Sequence, residues 1–247
     1  MVTKHYYGYR PDLNDQRDFQ FTPTLEKLPT SVDWRSKMPP VYNQGQLGSC
    51  TANAIAGAID YERGAQGESF ITPSRLFIYY NERAMENTVN SDSGASLRDG
   101  IKSVKNLGDC PESEWKYTIS KFKTKPPVKC YTDAIKYKVV QYQRVTVGIN
   151  SLKQALSLKP VVFGFTVYES FESDTVAFTG IVPMPKKSES VAGGHAVVAC
   201  GYNDSSQSVI CRNSWGSDWG VGGYFYMPYA VVLNGMASDF WVVIKEV

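Results

Sequence analysis

Gln44-Gly45-Gln46-Leu47-Gly48-Ser49-Cys50-Thr51-Ala52 is the stretch on which the reading of this chain turns. Glycines at 45 and 48 allow the backbone to bend sharply. Beyond them, Ala52, Ile55, Ala56 and Ile59 fall at i, i+3, i+4 and i+7, the spacing of one apolar helix face. Cys50 therefore sits at a helix N-terminus, where unsatisfied N–H groups and the positive end of the helix dipole favour thiolate over thiol. Gln44, six residues earlier, can reach back toward the oxygen of a carbonyl attacked by that sulfur. With the Cys50 N–H it makes a two-donor oxyanion site.

Two later segments complete a constellation. In Gly193-Gly194-His195-Ala196-Val197-Val198 a histidine opens a strand behind two glycines, free to project into a cleft while a substrate backbone passes close by. In Asn213-Ser214-Trp215-Gly216-Ser217-Asp218-Trp219-Gly220 the asparagine can fix which way an imidazole faces, and the Trp215 indole can cover that bond from water. Taken singly, a helix-start cysteine is more often a small buried hydrophobe, and a strand histidine a satisfied structural group. Their co-occurrence carries the argument, because the chain holds only one other histidine, His5.

Together the three segments resemble the papain-like cysteine peptidases, which include the cathepsins. The matching residues are Gln44-Gly-x-x-Gly-Ser-Cys50, Gly194-His195-Ala196-Val197 and Asn213-Ser-Trp-Gly-x-x-Trp-Gly-x-x-Gly-Tyr. His195 follows Cys50 by 145 residues and Asn213 by 163, against an interval of roughly 130–150 for the family. The resemblance covers residues 31–247, with Val32-Asp33-Trp34-Arg35 at the mature start and Asp92-Ser93-Gly94-Ala95 in place of the substrate-binding loop. It implies an α+β, two-lobed fold: a helical lobe packed against a β-barrel-like lobe, with the active-site cleft between them. It also implies endopeptidase activity through a Cys50–His195 thiolate–imidazolium pair and a thioester. Asn213 would orient His195, Gln44 support the oxyanion, and Trp215 shield the pair. Gly94 would offer its backbone to an extended peptide. Gly194, Ala196 and the region near Ala237 would shape the substrate site, selecting an apolar side chain two positions before the scissile bond. Acyl transfer at the same site, or a silent peptide-binding relative, are the alternatives. Thr51 stands where the family usually has Trp, which should make one cleft wall smaller, and Leu47 replaces a cysteine of a common disulfide. Gly194 replaces a frequent acidic residue, which should alter the pH profile more than the mechanism.

The formal charge of +2 gives no footprint for nucleic acid or an anionic membrane. Apolar runs are strand-sized, too short to cross a bilayer. Five scattered cysteines and two histidines offer no clustered ligand set, so neither a metal nor another cofactor is expected. Cys200 and Cys211 read as buried thiols, while pairing of Cys110 with Cys130 stays open. A monomer acting on peptide or protein substrates is expected. The opening residues lack the apolar core of a secretory signal, which favours an intracellular or particle-enclosed setting unless a signal was removed.

Composition divides the chain into an extended arm at 1–31, a mainly helical lobe at 32–137 and a mainly β lobe at 138–247. Helices are predicted after Cys50, at Ser74–Arg83 with Thr72-Pro73 as its start, through Leu97, Ile101 and Val104 to a stop at Gly108, and at Asn150–Leu158 capped by Asn150. Strands are predicted at Val161–Tyr168, His195–Tyr202, Ser208–Trp215, Gly223–Met227 and Asp239–Lys245, with a turn at Asn203–Ser206. The arm reads as a lid over the cleft or, alternatively, as a strap on the β half. The paired acids and bases of Arg10–Asp18 suit a docked segment as well as a solvated one.

Overall fold

The computed structural model describes residues 5–22, 24–25, 27–138 and 141–244. Its strands are β1 (Ser31–Asp33), β2 (Gln141–Val145), β3 (Val161–Tyr168), β4 (Val191–Asn203), β5 (Ser208–Arg212), β6 (Tyr224–Pro228) and β7 (Ala237–Ile244). All pair antiparallel in one sheet of order β2-β7-β3-β4-β5-β6, with β1 alongside the far end of β4. The β3 bounds match the periodicity. β4 is longer than expected and starts at Val191, so His195 lies inside the strand, paired with Phe165, rather than at its start. β5 stops at Arg212, earlier than expected, because the Asn213 amide turns to the Gly223 carbonyl (2.9 Å) and Gly216 takes a positive φ of 83°. Lys245, the expected end of the last strand, lies outside the described residues.

The helices are α1 (Cys50–Ala65), α2 (Arg75–Met85), α3 (Leu97–Leu107), α4 (Val128–Ala134), α5 (Ile149–Leu156), α6 (Asp174–Thr179) and α7 (Tyr229–Leu233). Every residue from Cys50 to Arg63 is buried, so the single apolar face read from sequence is too narrow a description of α1. Its small residues let β4 approach on one flank while α2 and α3 pack on others. Ser74, not Thr72, caps α2: its Oγ accepts from the Phe77 amide (3.1 Å), whereas the Thr72 carbonyl is taken by Glu112 (2.8 Å). Ser96 caps α3 in the same way, and Gly108 (φ 81°) ends it as predicted. The residue before α5 is Gly148, and Asn150 lies inside the helix.

Two apolar cores flank the sheet, and alternation along β4 sorts its side chains between them. Ala196, Val198 and Cys200 join the core shared with α1–α3, whereas Val197 and Ala199 face the core of Phe163, Phe165 and Phe225. The five cysteines are free and buried, with the Cys110 and Cys130 thiols hydrogen-bonded to each other.

Behind α1, Arg63 donates to Asp109 at 2.7 Å with both side chains 1% exposed, and its guanidinium lies over the Tyr137 ring. Asp109→Ala should strip that buried cation of its carboxylate and lower unfolding free energy by about 3 kcal/mol. Urea denaturation would show this as an earlier midpoint with unchanged slope.

Candidate active site

Turn and helix place the nucleophile candidate. Gly45 (φ 57°) bends the loop, Ser49 hydrogen-bonds Tyr117 and Asn53, and Cys50 becomes the first residue of α1. The backbone N–H groups of Ala196 and of Gly8 point at the sulfur. The Ala196 contact sets Cys50 against the segment of β4 that carries His195. On that histidine, Nε2 meets Asn213 Oδ1 at 2.8 Å, while Nδ1 is buried without a hydrogen-bond partner among the described residues. Trp215 stacks beside the imidazole, ring centroids 4.9 Å apart. Gln44 is also fully buried, its Oε1 accepting from Ser214 Oγ (2.6 Å) and its Nε2 donating to Leu47 O (2.9 Å). The structure thus gathers Gln44, Cys50, His195, Asn213 and Trp215 in one place.

The arm runs through the same place. Gln44 Nε2 donates to the Tyr6 carbonyl (2.9 Å) as well. Tyr9 N–H donates to Gly194 O (3.0 Å) on the β wall. On the helical wall, Ala95 N–H donates to Gly8 O (2.8 Å) and Arg10 N–H to Ala95 O (3.1 Å). Ala95, rather than Gly94, therefore does the pairing. Gly94 (φ 65°) instead offers a bare Cα, since a Cβ there would overlap the Gly8 carbonyl. Gly194 plays the same part on the other wall, where a Cβ would overlap Tyr9 O. His5 stacks on Trp215 at 3.6 Å between centroids, and Tyr7 stands edge-on to His195 at 5.8 Å.

Further along, Asp12 accepts from the Arg98 amide (3.0 Å) and Trp241 Nε1 (2.9 Å), while Asp18 accepts from Arg98 Nε (3.0 Å) and Nη2 (2.5 Å). Residues 19–21 then pair with Arg144 on β2. One segment is thus threaded through the cleft and the next strapped to the sheet.

Burial by the arm reverses the electrostatics expected from sequence. Desolvation pushes the Cys50 thiol up to about 11, outweighing the amides of Ala196 and Gly8 that pull it down. It also pushes His195 down to about 4, against the raising effect of Asn213. With the arm in place the pair is thiol and neutral imidazole, and the helix N-terminus does not win. Thr51 does not line the cleft either: it is buried and donates to Glu82 (2.7 Å), whose carboxyl burial raises to about 8.

Sequence reasoning placed a pocket near Ala196 and Ala237 but missed its polar end at Ser238 and Asp239. Tyr9 lies across Gly164, and its hydroxyl reaches Asp239 Oδ2 (2.5 Å) and Ser238 Oγ (2.7 Å). Ala196 pairs with Gly164 across the strands and shares the core of Tyr9, whereas Ala237 pairs with Phe165 and faces the opposite core. Ser238 takes the place expected for Ala237. The signal available was Gly164 itself, a glycine inside an otherwise β-branched and aromatic strand.

Comparison with known proteins agrees with this geometry. The sequence model described as papain family cysteine protease matches residues 28–243. An uncharacterized peptidase C1-like protein of Acanthamoeba polyphaga mimivirus is 49% identical over 81% of this chain and 68% of its own length. Cysteine proteinase 3 of Dictyostelium discoideum is 28% identical over 81% of this chain and 59% of its own. Among solved structures, xylellain, a cysteine protease from Xylella fastidiosa, superposes with a TM-score of 0.92 at 44% identity, covering 100% of both chains.

A buried imidazole that binds its proton poorly favours the arm-docked fold above pH 6.5, and that contribution is lost as pH falls through about 4. NMR titration of the full chain should find His195 neutral down to about pH 4. In Gly8→Ala, where the new Cβ overlaps the Gly48 carbonyl and displaces the arm, its pKa should rise toward the ordinary histidine value.

Proposed function

The chain belongs to the papain family of cysteine proteases, and from that premise we propose that Cys50, His195, Asn213 and Gln44 hydrolyse peptide bonds while residues 5–18 hold the site latent. In the open cleft water restores solvation to sulfur and imidazole, and the proton passes from Cys50 to His195, which Asn213 keeps aimed. The thiolate attacks a substrate carbonyl, and the oxyanion is received by Gln44 Nε2 and the Cys50 N–H. His195 then protonates the leaving amine and afterwards draws a proton from the water that cleaves the thioester.

The observation that carries this reading is the arm's own backbone. It is an extended peptide paired to both walls, with the Tyr6 carbonyl on the Gln44 amide. A cleft built to grip such a chain suits a peptidase. The arm turns the Gly8 N–H toward the sulfur. Latency is reinforced by Asp12 and Asp18 on Arg98 and Arg144, which anchor the segment that follows.

Overpacking a close contact costs roughly 1–3 kcal/mol, so Gly8→Ala should raise hydrolysis of a fluorogenic peptide by about 5- to 150-fold over the full chain. Cys50→Ala in the same background should abolish it. Unchanged turnover in Gly8→Ala contradicts latency, and turnover surviving Cys50→Ala contradicts the nucleophile.

A further inference from the structure

The arm leaves a record of what the pocket beside Cys50 accepts. Tyr9 is only 6% exposed, its ring flat against Gly164, where any Cβ would occupy the space of the ring. The end of the slot is polar. Ser238 Oγ and Asp239 Oδ2 converge on the phenol oxygen, and burial beside Asp239 raises the Tyr9 pKa, keeping it a donor. Asp239 is 2% exposed and is held from behind by Arg144, which donates to Oδ1 at 2.6 Å. Among the described residues, its other oxygen is served by the arm alone, through the Tyr9 hydroxyl and the Asp12 amide (2.7 Å). When the arm leaves, Arg144 keeps Oδ1 fixed and Oδ2 loses both donors.

We infer that Ser238 and Asp239 are specificity-determining residues, and that the open cleft selects peptides presenting a tyrosine, hydroxyl first, over Gly164. This rests on the peptidase reading above. A phenylalanine fills the slot but leaves a buried carboxylate oxygen without a donor, a mismatch that a site built for a hydroxyl penalises. A leucine is too short to reach the polar end. A basic side chain meets Arg144, which has lost the arm carboxylates of Asp12 (3.7 Å) and Asp18 (3.3 Å) and repels a second cation. The selectivity departs from the apolar preference expected from sequence, because Ser238 and Asp239, not Ala237, face the pocket.

The test uses the full chain carrying Gly8→Ala and four peptides that differ only in the residue two positions before the scissile bond: Tyr, Phe, Leu or Arg. kcat/KM for the tyrosine peptide should exceed that for phenylalanine by roughly 10- to 100-fold. Adding Asp239→Asn, which tolerates the left-handed backbone at φ 54°, should narrow the ratio by about tenfold through loss of the charge-assisted bond. The ratio does not depend on how much protein is folded or open, since both peptides compete for the same population. Phenylalanine, leucine or arginine equal to or better than tyrosine overturns the inference alone, as does a ratio unmoved by Asp239→Asn. Hydrolysis of none of the four overturns the peptidase reading and this inference with it.

Discussion

The amide of Tyr9 donates to Gly194 while Ala95 brackets the same residue from the other side, so one extended strand of the arm ties the helical wall of the cleft to the β wall. This pairing demands close approach. Gly8, Gly94, Gly193 and Gly194 each lack the Cβ that would collide with the facing chain. Once the strand is seated, water is excluded from Cys50 and His195, and their proton equilibria follow. The same groups that make a nucleophile in an open cleft make a neutral, inert pair in a closed one.

Docking does not rest on the cleft alone. Beyond Arg10 the arm enters a buried lattice of Asp12, Asp18, Asp239, Arg98 and Arg144, with Trp241 donating from below. Three carboxylates share two guanidiniums, one negative charge in excess, and burial together with Asp239 raises the Asp12 carboxyl to about 6. The pocket for Tyr9 is continuous with this lattice through Asp239, so pocket and anchor share one carboxylate.

Much of the catalytic arrangement was legible because it is local. A glycine-bounded loop running into an apolar 3.6-residue repeat places Cys50 at the start of α1, and the glycines before His195 and after Asn213 mark close backbone passages. What was not legible depends on pairings distant in sequence. Nothing near Tyr9 announces that its partners are Gly194, Gly164 and Asp239. Ala237 shows how narrow the margin is: one residue along a strand reverses the face, so Ala237 belongs to the far core and Ser238 to the pocket, while the left-handed backbone of Asp239 (φ 54°) breaks the alternation and keeps its carboxylate on the pocket side. The expected thiolate failed for a related reason. Helix position is written locally, but the desolvation that outweighs it comes from a segment that folds in from the N-terminal end.

The central claim is that the arm holds Cys50 as a buried thiol, and the rate of its alkylation by iodoacetamide in the full chain, followed against pH, tests it most directly. The account predicts slow modification that climbs toward the raised thiol pKa of about 11. Rapid modification already at its plateau near about pH 5, the signature of a thiolate paired with imidazolium, would contradict it.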